Sequence, residues 1–191
     1  MLKRILFGMA VVVAAVFGGS TPAHADESVV AVSKDSYVQF ESTENFGSNI
    51  YVRADASPEW YGIMQFAVPD CTITSAVLQV TPSASHTAGL RVHAAGTGDF
   101  WAESTVNWFT ADWTAVADEY STSNALVADE SEEIDLMAPD GGVFAGANSP
   151  DYAGELLTLR ISSNSVTQLS LKSKENSVAA EYKPLLIVNC A

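Results

Sequence analysis

Apolar and polar residues alternate with a period of two through most of this 191-residue chain, and that period admits strands and little else. Successive side chains on a strand point to opposite faces, whereas a helix repeats every 3.6 residues. In residues 75–81 the alternation puts Ala76, Leu78 and Val80 on one face. In residues 89–94 it puts Leu90 and Val92 on one face and Arg91 and His93 on the other. Leu157, Leu159 and Ile161 alternate with Thr158 and Arg160, and Leu169 and Leu171 with Ser170 and Lys172. Further strands are expected near 28–33, 35–40, 49–54, 61–68, 132–137 and 184–190. Turn clusters such as Asn45-Phe46-Gly47-Ser48, Pro82-Ser83-Ala84-Ser85 and Ala138-Pro139-Asp140-Gly141-Gly142 separate them. Residues 111–130 read as a long loop. Short strands between polar turns predict an antiparallel β-sandwich whose core is the inner faces of two sheets.

The first 25 residues stand outside this pattern. Lys3 and Arg4 form a basic start, an almost unbroken apolar run follows to Gly18, and Ala23-His24-Ala25 is an A-x-A cleavage pattern. Together these read as a secretory signal peptide. The alternative is a membrane anchor, but the apolar run is short of the roughly 20 residues a spanning helix needs. Residues 1–25 are therefore expected to be a leader and 26–191 one β-sandwich domain, secreted and extracellular. No second apolar stretch reaches spanning length, so no membrane insertion of the mature chain is expected.

Removing the leader takes away two basic residues and no acid. It leaves 7 basic against 23 acidic side chains, a formal −16 where the whole chain carries −14. That balance argues against nucleic acid and anionic membranes as partners, which call for basic patches. It reads as solubility or, more sharply, as adaptation to salt or attraction of cations. Cys71 and Cys190 are the two cysteines, and in an exported chain two cysteines most simply form one disulfide, the alternative being two free thiols. The bridge would close a loop of about 120 residues, for which chain entropy allows roughly 5 kcal/mol.

Enzymatic machinery is thin. His86 sits in a Ser/Thr-rich turn and His93 on an outward strand position. There is no Gly-x-Ser-x-Gly elbow, no His-Glu-x-x-His helix and no phosphate-cradling glycine loop. Carboxylate pairs for glycoside cleavage remain open simply because acids are abundant. The run Asp129-Glu130-Ser131-Glu132-Glu133 offers oxygen ligands of the kind calcium takes. Its spacing matches no calcium loop, and it reads first as a solvated acidic turn. No cofactor is expected, a structural calcium ion being the one exception left open.

Aromatic and cationic residues are more suggestive. Phe100, Trp101, Trp108, Phe109, Trp113 and Tyr120 crowd one stretch, and Trp60 and Tyr61 open a strand. Such rings fill cores or stack on sugar rings. Trp101 and Trp108 read as core, while Trp60, Trp113 and Tyr120 lie in or beside loops and fit either role. Arg53, Arg91, Arg160, Lys172 and Lys174 all fall at outward positions of the alternation. They form either a basic stripe able to hold uronate or sulfate groups or scattered partners for the many acids. The expected ligand-binding set is Tyr51, Arg53, Trp60, Gln65, Arg91, His93, Arg160 and Lys172, on a shallow sheet face.

Several segments in order resemble the DNRLRE domain, also classed as carbohydrate-binding module family 96. They are Asp35-Ser36-Tyr37-Val38; Asn45-Phe46-Gly47 followed by Ile50-Tyr51-Val52; Phe66-Ala67-Val68 with Ile73-Thr74-Ser75-Ala76-Val77-Leu78; Trp101-Ala102-Glu103-Ser104-Thr105-Val106-Asn107-Trp108; and Ser173-Lys174-Glu175 with Pro184-Leu185-Leu186. The likeness runs from about 28 to 190. Gln65 and Ala67 depart from it, standing where the family often has a basic residue and Asp, and the six-letter name motif is absent. The resemblance implies a jelly-roll-like β-sandwich, here of about 9–10 strands, and in some members binding of polysaccharide such as alginate. Three readings follow: a non-catalytic module for extracellular or cell-wall polysaccharide, a structural or adhesive surface protein on the same scaffold, and a small polysaccharide-degrading enzyme. The first is expected.

Overall fold

A computed structural model describes residues 26–111, 120–137, 142–144, 152–163 and 165–191. Residues 1–25, the expected leader, and Trp113 lie outside these residues, as does the side chain of Tyr120. Eleven strands run in chain order: β1 (Asp26–Ala31), β2 (Lys34–Gln39), β3 (Tyr51–Ala56), β4 (Glu59–Ala67), β5 (Ile73–Val80), β6 (Arg91–Thr97), β7 (Tyr120–Thr122), β8 (Glu132–Asp135), β9 (Leu156–Ser162), β10 (Leu169–Lys172) and β11 (Leu185–Cys190). A 3₁₀ turn spans Ala180–Tyr182, and no helix among the described residues is long and apolar enough to cross a membrane.

All strand pairs are antiparallel and form two sheets. One is four-stranded in the order β1-β11-β5-β8. The other is seven-stranded in the order β10-β3-β4-β9-β6-β7, with β2 also pairing β4. The fold is thus an all-β antiparallel sandwich with eleven described strands where about 9–10 were expected. The additional one is β7, which lies in the stretch read as a long loop and has three residues, too few for the alternation to register.

The period of two decides what lies between the sheets. Ala76, Leu78 and Val80 of β5 and Leu186 and Val188 of β11 face Met64 and Phe66 of β4, Val92 and Ala94 of β6 and Leu157, Leu159 and Ile161 of β9 in one apolar cluster. Packing there is close. A Cβ on Gly62 would stand 2.5 Å from Val52 Cγ1 and 3.2 Å from Ile161 Cβ, so β3 and β9 press onto β4 where only a glycine fits. Cys71 and Cys190 form the disulfide, with Cα atoms 5.7 Å apart and 119 residues between them. It ties the turn before β5 to the end of β11.

The outer face of the seven-stranded sheet is covered over part of its area. Val38, Ile63, Trp101 and Val106 form a second apolar cluster, flanked by Tyr61, Trp108 and Ala111. The chain from Gly98 to Ala111 lies over β2 and β4 and is anchored by polar side chains. Gln65 Nε2 donates to Gly98 O (3.0 Å), Trp101 Nε1 to Thr158 Oγ1 (3.0 Å) and Asn45 Nδ2 to Val106 O (2.8 Å). Trp101 therefore fills a core, as read from the sequence. Gln65, expected on an open face, is 1% exposed. Its side chain is on the outward side of β4, but the 98–111 segment roofs it.

Candidate functional site

Among the described residues, that outer face also holds a groove of about 270 Å³. The β3–β4 hairpin supplies Asp55, Glu59 and Tyr61, β6 supplies Arg91 and His93, and the end of β9 supplies Arg160, Ser162 and Ser163. Strand register brings these residues together. His93 is opposite Arg160 and Arg91 opposite Ser162 across β6–β9, while Ile63 is opposite Arg160 across β4–β9. Tyr61, two residues before Ile63, thus shares its face.

Arg160 is the most unusual group in the groove. It is half-buried, its Cζ lies 4.6 Å from the centre of the Tyr61 ring, and its Nε is buried with no hydrogen-bond partner. Burial lowers its pKa from the ordinary arginine value, with Tyr61 and Glu59 opposing the shift. Tyr61 donates its hydroxyl to Glu59, and burial first, then that hydrogen bond, pushes its pKa up to about 12. His93, 8% exposed, has Nε2 3.4 Å from Ser162 Oγ. The Tyr61 ring continues into an aromatic row: it stacks on Trp108 at 5.9 Å, and Trp108 meets the exposed Phe40 edge-on at 4.9 Å.

The expected residues divide among separate places. Arg91, His93 and Arg160 share the groove. Arg53 lies over the rings of Tyr37 and Trp60, at 5.4 and 5.3 Å, and Phe46 stacks on Tyr37 at 4.2 Å. Arg53 Nε and Trp60 Nε1 are buried there without partners. Tyr51 is half-buried opposite Lys172 across β3–β10. Lys172 is 8% exposed, paired with Asp129 at 2.8 Å and set against the Tyr182 ring. Lys174 lies beyond the end of β10 and pairs with Glu103 (3.0 Å) and Glu175. The expected continuous basic stripe is therefore not formed, because long-range partners claim its lysines. The ion pairs between described residues all run through lysines; Arg53 and Arg160 are held by rings instead.

Sequence reasoning missed the cluster around Asp35. This carboxyl is 1% exposed. Its Oδ2 accepts Lys174 N–H (2.7 Å), and Asp35 N–H donates to Glu103 Oε1 (2.7 Å). Ligand oxygens of Asp35, Glu103 and Glu175 lie within 4.8 Å of one another, but the Lys174 ammonium already bonds two of these acids. Asn45 Nδ2 also donates to Glu103 O, and a Cβ on Gly47 would stand 2.1 Å from that carbonyl. The run 129–133 likewise gives Asp129 to Lys172 and Glu132 and Glu133 to β8. A second hollow of about 380 Å³ is lined by Lys34, Asp99, Phe100 and Trp101 among others. Its cation is already committed: Lys34 pairs with Asp99 and donates to Trp101 O (2.8 Å). His86, placed in a turn by its sequence, is buried with Nε2 2.9 Å from Thr167 O.

No family model matches the chain, and no curated protein matches it.

Proposed function

We propose that this chain is an exported, non-catalytic module that binds an acidic polysaccharide on the outer face of its seven-stranded sheet. The observation that carries the reading is Arg160. In a chain with 23 acids, this half-buried guanidinium is turned toward an open groove with Arg91 beside it, and an aromatic ring rather than a carboxylate holds it. A guanidinium fixed in this way suits a planar carboxylate or a sulfate, which it takes up through charge-assisted hydrogen bonds. Ser162, Ser163 and Glu59 supply donors and acceptors for sugar hydroxyls, and the Trp108–Phe40 row continues the face for further residues of a polymer. The raised Tyr61 pKa and the near-complete burial of His93 favour binding over catalysis.

Membership of the DNRLRE-like group is part of the same proposal. Its support is that residues from four of the motif segments meet at one place: Asp35, Asn45, Gly47, Glu103 and Lys174 bond or press on one another. On this reading the motifs are a clasp that fastens the 98–111 segment to the sheet, and the ligand contacts lie elsewhere. Export is supported by the leader pattern and by the disulfide, which suits an oxidising compartment.

The test is affinity electrophoresis against alginate, pectin and a neutral glucan, at low salt and at about 0.15 M, where screening acts within about 8 Å. Acidic polymers are expected to retard the protein, and salt to weaken the effect. Arg160→Ala is expected to weaken binding about 10-fold or more, the scale of a charge-assisted hydrogen bond. Lys172→Ala, once shown to be folded, is expected to leave binding unchanged. No retardation by any polymer, or equal binding by the Arg160 variant, overturns the proposal.

A further inference from the structure

The two sheets treat their outer faces differently. The seven-stranded sheet carries a second apolar cluster, whereas the outer face of β1, β11, β5 and β8 bears an apolar row that is exposed at Val29 and half-buried at Ile187 and Val77 among the described residues. Register lines up Val29, Ile187 and Val77 across β1, β11 and β5, with Asp135 of β8 closing the row. The next row is Ala31, Leu185, Gln79 and Glu133. Val29 is 56% exposed. Among the described residues β1 pairs with β11 alone, so its other edge presents free backbone donors and acceptors. Edge strands are usually blunted by charged side chains, above all lysine, by proline or by a bulge. β1 has no lysine, proline or bulge; its charges are the two acids Asp26 and Glu27 at its start, and its register with β11 is unbroken.

Charge selects the occupant. Glu27 lies two residues along β1 from Val29, opposite Asn189 and beside Asp26, while Asp135 and Glu133 close the two rows at β8; neither row holds a cation. A second copy of the chain would bring like charges together. A six-residue edge, about 20 Å long, is also too short to bury the roughly 1,200 Å² of a stable dimer. We propose that β1 docks an extended basic segment of another protein by strand addition, with an apolar side chain beside Val29 and a basic one beside Glu27. Main-chain hydrogen bonds would supply affinity, and alternate side chains specificity. This site is on the sheet opposite the polysaccharide groove and does not depend on that reading.

The experiment uses the purified protein and two capped synthetic hexapeptides, one alternating valine with lysine and one alternating valine with glutamate. Binding is followed by NMR titration and amide hydrogen exchange. The lysine peptide is expected to slow exchange along β1, and the glutamate peptide to leave it unchanged. Val29→Asp is expected to abolish the effect and Glu27→Lys to weaken it several-fold. Both side chains are exposed, so unchanged thermal unfolding is expected to show both variants folded. Equal binding of the two peptides, protection away from β1, no binding at millimolar peptide, or a β1-dependent dimer in sedimentation each overturns the proposal.

Discussion

Replacing Asp35 by asparagine is predicted to stabilise the protein at alkaline pH and to change little in acid. The carboxyl is nearly sealed from solvent. Burial, with repulsion from Glu175 and Glu103, raises its pKa from 3.8 to about 7 against the hydrogen bond from Lys174 N–H and the charge of Lys174. The folded state therefore binds this proton more tightly than the unfolded state. Between about pH 4 and about pH 7 the unfolded chain binds fewer protons here, so stability falls as pH rises, and the cost is complete above about 7. Three pH units at about 1.4 kcal/mol each set a ceiling near 4 kcal/mol. Relaxation of Lys174 and Glu103 around the charge reduces that to about 1–2 kcal/mol. Asparagine keeps the shape and an acceptor for Lys174 N–H without the charge. Urea unfolding at pH 4, 6 and 8, followed by tryptophan fluorescence, should show coincident midpoints at pH 4. At pH 8 the Asp35→Asn unfolding free energy should be higher by about 1–2 kcal/mol, or about 2–8 °C in Tm for a domain of this size. A variant less stable than wild type at pH 8 would refute the reasoning, because it would make the ionised carboxylate net favourable.

Glu103→Ala should cost about 2–3 kcal/mol, since it removes the acceptor for Asp35 N–H and the partner of Lys174 at the scale of hydrogen bonds to charged groups; a thermal melt checks it. Gly47→Ala should cost about 1–3 kcal/mol through overpacking, because its Cβ would meet Glu103 O, and near-UV circular dichroism should report a loosened tryptophan environment. Reducing the Cys71–Cys190 bond should lower the unfolding free energy by an amount approaching 5 kcal/mol, the chain-entropy value for so long a loop, and the denaturant midpoint with it. An unchanged midpoint after reduction would contradict that.

The strands were legible where burial is one-sided. In β5 and β11 every second residue faces the core, so the period of two is clean. On β4, whose burial runs unbroken from Gly62 to Phe66, alternation identified the outward side of Gln65 but not its roof. That roof comes from a segment more than 30 residues away in sequence. Lys172 was misread for the same reason, because Asp129 and Tyr182 close over it. The Asp35 cluster joins residues 68 and 139 positions apart, and no local pattern encodes such a meeting. Arg91, His93 and Arg160 lie together because their strands are adjacent and the three share a face. Tyr61 shares that face too, but its place beside Arg160 follows from β4–β9 register, which alternation alone does not set.

The central claim is that the groove grips an anionic sugar group through Arg160. The direct measurement is an NMR titration of the protein with a uronate oligosaccharide, following the arginine Nε–H signals, with a neutral oligosaccharide of equal length as the comparison. The Arg160 Nε–H and the Tyr61 ring signals are expected to shift with the uronate and to stay in place with the neutral sugar. Shifts confined to other surfaces, or identical shifts with both sugars, would contradict it.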